Sequence, residues 1–322
     1  MSKILRLLSE HTGLHESIVR KIIATAPVRY KSYRIPKRSG GYREIAQPAR
    51  EVKLLQRAFI ETTLRNLPVH DAATAYRENT SILENAKRHA GDGPILKMDF
   101  SDFFPSITKN DWIKYCQHNR CITEDEDLEL TSLLLFRKAK GTNILRLAIG
   151  APSSPMLSNV LMFEFDRQIS GAVSLDRVKY TRYADDLTFS APRAGYLKNV
   201  QKNVVSIIKN LDYPKLRINH DKTTYITSKY HRSVTGLTLS NDSRVTIGRD
   251  RKRELSAAVH HASQGKLSLD RLQQLAGFLA FVNSVEPEFI DVLRRRYGAN
   301  AVKEIQKTVL IGRRVSSPNE VE

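Results

Sequence analysis

The chain has 322 residues, with 41% apolar and 27% charged side chains, which suits a globular protein and excludes a disordered one. It is longer than one core usually serves, so two or three subdomains are expected. Lys and Arg number 52 against 34 Asp and Glu, a formal charge of +18 that points to a polyanionic partner, nucleic acid ahead of a membrane surface.

The first sixty residues hold 13 basic and 4 acidic side chains. The opening MSKILRLLSEHTG is broken by Arg6 and is no signal peptide. No apolar run approaches the roughly 20 residues of a membrane span, so a cytoplasmic protein with no membrane partner is expected. Residues 2–25 read as helix around a break at Gly13. Tyr30–Pro48 reads as a basic β-hairpin turning at Ser39-Gly40-Gly41. Helices follow over 49–67 and 80–90. PILKMDFSDFFPSI reads as a strand leading into a turn and helix, with Leu96, Met98 and Phe100 on one face and Lys97 and Asp99 on the other. Residues 111–137 read as helical. Cys116 and Cys121 are the only cysteines and lack a second pair for zinc, which suits free thiols in a reducing compartment. GAPSSP opens a helix from about Pro155. A hairpin carries YTRYADDLTFSA, a helix spans 197–211, strand-rich segments follow, and from Arg251 the chain is helical to a disordered tail beyond Gly312. The class is mixed α+β, without the alternation of a doubly wound sheet.

Asp99 ends one expected strand, and Asp185 and Asp186 occupy a turn between two others. Taken singly, such residues are ordinary turn formers and caps. If the strands are neighbours, the carboxylates converge, and a cation is needed to keep them all ionised. Oxygen-only ligands suit Mg²⁺, and two such ions serve phosphoryl transfer.

The segment YTRYADDLTFS resembles the Tyr-X-Asp-Asp signature of reverse transcriptases. Further blocks stand in the family's order: YRIPKRSGGYREI is similar to the fingers block and ILKMDFSDFFPSI to the strand of the first metal-binding Asp. IGAPSSPMLSN is similar to the Pro-X-Ser-Pro loop, and RINHDKTTYIT to the Lys-bearing block after the catalytic hairpin. The resemblance covers residues 30–240. NAKRH (Asn85–His89) and VTG (Val234–Gly236) narrow it to the bacterial retron reverse transcriptases.

The resemblance implies a right-hand polymerase: an N-terminal helical extension over 1–28, fingers over 29–94, a palm over 95–238 with a helical segment at 111–140, a thumb over 239–311 and a tail over 312–322. It implies Asp99 and Asp185 as ligands of two Mg²⁺ ions, Asp186 in support, and the Phe100 carbonyl as a further ligand. Asp185 is the essential member and Asp186 the less direct one. Phe104 would exclude a 2′-OH on the incoming sugar; a core Phe is the plainer reading. Arg43 first and Lys37 second, with Arg38 beside them, would hold the dNTP triphosphate, or form a phosphate-tracking face. Lys222 matches the family's Lys near the site. Gly150, Pro152, Ser153 and Pro155 would floor template and nucleotide, and Tyr183 would pack beside the primer end or simply across the strands. Ile149 replaces a Gln common in the family. Asn85 and His89, i and i+4 on one helix, either touch RNA or brace the fold. Arg251, Lys252, Arg294 and Arg295 would meet duplex phosphates.

Retron membership further implies a cognate structured noncoding RNA as template, priming from a guanosine 2′-OH, and branched, RNA-linked multicopy single-stranded DNA (msDNA). It also implies a separate effector protein in anti-phage defence and trimming by host RNase H. Group II intron-like or abortive-infection reverse transcriptases share the main blocks. A noncatalytic RNA-binding protein on a polymerase scaffold is the alternative from another class, and the three intact aspartates oppose it.

Overall fold

The computed structural model describes residues 2–37 and 40–315. Arg38 and Ser39 of the basic hairpin lie outside the described residues. The chain forms two compact units: Met1–Ser81 with Gly93–Thr227, and Ile82–Asp92 with Ser228–Glu322.

In the first unit, helices Lys3–Thr12 and Glu16–Thr25 are separated by Gly13, whose φ of +71° forms a left-handed cap. Ile4, Leu5, Leu8, Val19 and Ile23 form their buried faces, which pack toward helices Arg50–Thr62 and Asp125–Leu135. Ser2 caps the first helix and donates to buried Asp127, which fastens the N-terminus. Strands β1 (Tyr30–Pro36) and β2 (Tyr42–Pro48) pair antiparallel from Tyr30 opposite Pro48 to Pro36 opposite Tyr42.

Next come β3 (Ile95–Asp99), β4 (Arg137–Lys138), β5 (Leu145–Arg146), β6 (Lys179–Tyr183), β7 (Asp186–Ser190) and β8 (Thr224–Ile226). The central sheet is antiparallel with order β6-β7-β3-β8. Helix Phe163–Ser174 backs it, and Phe165 meets Phe100 edge-to-face at 5.5 Å. The helical stretch expected over 111–137 divides into Lys109–Asn119 and Asp125–Leu135, because Arg120 turns left-handed at φ +52°. Thr108 and Asp111 form a capping box at the start, and Trp112 donates to Thr131 at 2.9 Å across the two helices. The segment after Pro155 likewise forms two helices, Ser154–Leu161 and Phe163–Ser174.

The second unit combines helix Ile82–Ala90 with strands β9 (Arg232–Val234), β10 (Leu237–Leu239) and β11 (Val245–Thr246) in the order β11-β10-β9. Thus residues 82–92, grouped with the fingers by sequence, cluster with 228–322. Thr235 (φ +47°) and Gly236 (φ +79°) form a two-residue hairpin loop with both residues left-handed, the geometry that suits strand twist. Thr235 donates to the Ile82 carbonyl at 3.0 Å, tying the VTG turn to the helix that carries Asn85 and His89. Helices Arg249–Ser263, Leu269–Val285, Pro287–Tyr297 and Ala299–Val315 follow. Leu275, Leu279 and Val282 are buried among them. The last helix runs past Gly312 to Val315; residues 316–322 lie outside the described residues.

Candidate functional site

The sheet order makes β3 the neighbour of β7, and their register sets Asp99 opposite Asp186. Tyr183 faces Asp186 across the β6–β7 hairpin, leaving Ala184 and Asp185 as its two-residue loop. The Phe100 N–H donates to the Asp185 carbonyl at 3.2 Å, joining the end of β3 to that loop. Asp99, Asp185 and Asp186 therefore come from two strand ends at one edge of the sheet.

Asp99 is buried and accepts two bonds from Lys222 Nζ, at 3.0 and 2.9 Å. The hydrogen bond to Asp99 raises the Lys222 pKa, so this ammonium stays charged. Burial pushes the Asp185 carboxyl up, and Asp99 adds to the effect, while Lys222 and Arg43 oppose it. Partial desolvation and the neighbouring Asp185 and Asp99 charges push Asp186 up to about 6. Among the described residues, no three or more His, Cys, Asp or Glu side chains are grouped so as to hold a metal ion. The donor chemistry still fits a hard divalent cation: all donors are oxygens, and the raised carboxyl pKa values mark desolvation and, after it, mutual repulsion that a cation would relieve.

The site also has a floor. A cavity of about 330 Å³ is lined by Tyr76, Phe104, Ile149, Gly150, Pro152 and Pro155, with Lys53 and Arg57 at its rim. Ala46 of β2 donates to the Ile149 carbonyl at 2.8 Å. Gly150 has φ +116°, and a methyl group there would lie 3.0 Å from both the Ala46 carbonyl oxygen and Ile45 Cγ2. Only glycine meets both demands without strain.

Phe104, Gly150 and Pro152 thus share one cavity, and Asp99, Asp185, Asp186 and Lys222 share one cluster. Ser153 is fully buried beneath the floor, Phe100 is a core residue, and Tyr183 is half-buried beside the aspartates. Lys37 and Arg43 lie exposed on the β1–β2 hairpin, and Arg43 is near enough to lower the Asp185 pKa. In the second unit, Asn85 and His89 are fully buried. Arg251 donates to the Gly236 carbonyl at 2.8 Å, and Lys252 pairs with Glu286 and lies 5.1 Å over the Phe289 ring. Arg294 pairs with Asp291, and Arg295 is exposed.

Sequence reading missed Lys53, Arg57 and Tyr76, which gather at the cavity from an amphipathic helix and a loop. Tyr76 has φ +60°, a conformation no residue pattern announces, and its ring lies 6.4 Å from Phe104. It also missed Arg182, although that residue sits within the quoted signature: a charged side chain alternating with Tyr180 and Ala184 was the available signal.

Among the described residues, no helix is long and apolar enough to cross a membrane. The apo telomerase from Candida tropicalis superposes with a TM-score of 0.50 at 14% identity, covering 91% of this chain. This chain spans 59% of that telomerase, and the likeness supports the right-hand polymerase fold alone. The family described as reverse transcriptase (RNA-dependent DNA polymerase) matches residues 35–240. The retron Ec83 reverse transcriptase of Escherichia coli is 38% identical over 280 residues, covering 86% of this chain and 90% of the relative. The retron Ec86 reverse transcriptase of the same species is 33% identical over 309 residues, covering 92% and 91%. With its aspartates at one sheet edge and these likenesses along nearly its whole length, the chain belongs to the retron reverse transcriptases and is an RNA-directed DNA polymerase.

Proposed function

We propose that this enzyme copies a cognate structured noncoding RNA, primes from a guanosine 2′-OH of that RNA, and yields branched, RNA-linked msDNA. It works in the cytoplasm, in anti-phage defence with a separate effector protein, and host RNase H trims the copied template. The observation that carries the catalytic part of this reading is the pairing of Asp99 with Asp186 beside the Asp185 loop.

In this reading Asp99 and Asp185, with Asp186 and the Phe100 carbonyl, would hold two Mg²⁺ ions. The chemistry those ions supply when bound is charge compensation at the attacking hydroxyl and the departing phosphates. Lys222 holds Asp99 in orientation through its two hydrogen bonds. Arg43 and Lys37 neutralise the dNTP triphosphate from the hairpin. Phe104 and Gly150 bound the pocket for sugar and base; Pro152 and Ser153 shape its floor, and Tyr183 lies against the primer end. Ile149 presents an apolar surface where a Gln would offer an amide, so shape governs the nucleotide there. Arg251, Lys252, Arg294 and Arg295 serve duplex phosphates. Asn85 and His89 act on RNA indirectly, by fixing the helix against the VTG hairpin.

The test compares dNTP incorporation on an RNA template by wild type and Asp185→Asn, together with sequencing of nucleic acid bound to the purified protein. Loss of incorporation in the variant and a branched RNA–DNA species are expected. Equal incorporation by both proteins would remove the proposed site, and bound nucleic acid without a branch would remove the priming scheme.

A further inference from the structure

Arg182 lies in β6, three residues before Asp185, and its side chain is completely buried. A lone guanidinium in such a place is strongly unfavourable, so its surroundings must supply both charge and acceptors. Asp166, equally buried on helix Phe163–Ser174, receives Nε at 2.9 and 3.1 Å and Nη2 at 2.6 Å. Tyr180 adds its hydroxyl to Asp166 at 2.7 Å. The remaining arm, Nη1, donates to Asn159 Oδ1 and to the Ala184 carbonyl, each at 3.1 Å. Asn159 is itself fixed by donating to the Ala75 carbonyl at 2.8 Å. The Arg182 backbone is held as well: its N–H donates to Ala72 at 2.7 Å and its carbonyl accepts from Thr74 at 2.8 Å.

The Ala184 carbonyl belongs to the peptide that links Ala184 to Asp185. Ala184 occupies φ +58°, where a side chain costs about 1 kcal/mol or more unless neighbours hold it. A bond to this carbonyl fixes the plane of the peptide from which Asp185 projects. The ion pair with Asp166 is thus the anchor, and Nη1 is the arm that reaches the loop.

We infer that Arg182 is a positioning residue, a buried fork anchored on Asp166 that sets the orientation of the Ala184–Asp185 peptide and so of the Asp185 carboxylate. This rests on Asp185 being a catalytic carboxylate. A lysine keeps the charge but lacks the fork that serves Asp166, Asn159 and Ala184 together.

The test uses the full chain with Arg182→Lys, and with the charge-neutral pair Arg182→Gln/Asp166→Asn. Hydrogen–deuterium exchange over residues 180–190 is measured without metal or substrate, beside kcat and KM for dNTP on an RNA template. Both variants should fold. Exchange at 184–186 should rise about tenfold, with Ile95–Asp99 and helix 163–174 unchanged. The kcat should fall about 10- to 100-fold while KM for dNTP stays within about threefold. Wild-type exchange at 184–186 in either variant overturns the inference. Exchange that rises equally across the sheet, or failure of both variants to fold, assigns the pair to the core and overturns it too. Selective loosening of the loop with unchanged kcat would instead count against the role of Asp185, which Asp185→Asn tests separately.

Discussion

Replacing Asp186 by Asn should make the metal-free protein more stable while making the enzyme worse. The carboxyl is raised from its ordinary 3.8 to about 6 by partial desolvation and by Asp185 and Asp99. Taken at face value, that displacement is a penalty of roughly 3 kcal/mol on the ionised form. Asp186 keeps an exposed side, and solvent screening reduces the figure to about 1 kcal/mol. The sign follows from linkage. The folded-state value lies above the unfolded one, so the folded protein holds its proton more tightly and the penalty is full only above about pH 6. As pH falls through 6 the penalty shrinks, reaching about half near pH 5 and vanishing near pH 4. Urea unfolding in EDTA from pH 5 to 8 should show Asp186→Asn ahead of wild type at pH 7.5 by about 1 kcal/mol, with the gap closing toward acid. Added Mg²⁺ should stabilise wild type more than the variant, and primer extension by the variant should be slower. A variant equal to or less stable than wild type in EDTA at pH 7.5, or a gap independent of pH, would refute the reasoning.

Gly150→Ala should cost about 1–3 kcal/mol in urea unfolding, because φ +116° and 3.0 Å contacts to Ala46 and Ile45 leave no room for a methyl group. Lys222→Met should change stability by less than about 1 kcal/mol, since the lysine is 55% exposed; the same variant should lower kcat in primer extension. Phe104→Val should raise ribonucleotide incorporation relative to deoxyribonucleotide by about tenfold, within the 1–3 kcal/mol that one lost steric contact supplies, read in competition assays.

The parts of the site that lie in continuous sequence were legible. Asp99 stands at the end of an alternating strand and Asp185 in the turn of a hairpin, although Asp186, read from the sequence as part of that turn, opens β7 instead. Gly13 announced the break between the first two helices, and Gly40-Gly41 the basic hairpin. Features that depend on partners far along the chain were not legible. Arg182 looked like one more cation in a basic protein, because its meaning comes from Asp166 on another element and from the loop carbonyl beside it. Tyr76 and Arg120 adopt left-handed backbone that their types do not favour, so nothing local marked the loop or the helix break. Helix 82–90 was found at nearly its true ends, but its partners lie at residues 232–246, a pairing that periodicity does not encode.

That interleaving has a consequence for synthesis on the ribosome. The chain enters the second unit for eleven residues, returns to the first, and comes back only at Ser228. Helix 82–90 therefore emerges roughly 140 residues before β9 exists, an interval of about 7–30 s at ordinary translation speeds. During that time its apolar face, with Ala86 and the Asn85 and His89 side chains, lacks its eventual cover. A nascent chain stalled in this window would present that helix to chaperones, and a truncation after Thr227 would strand it permanently.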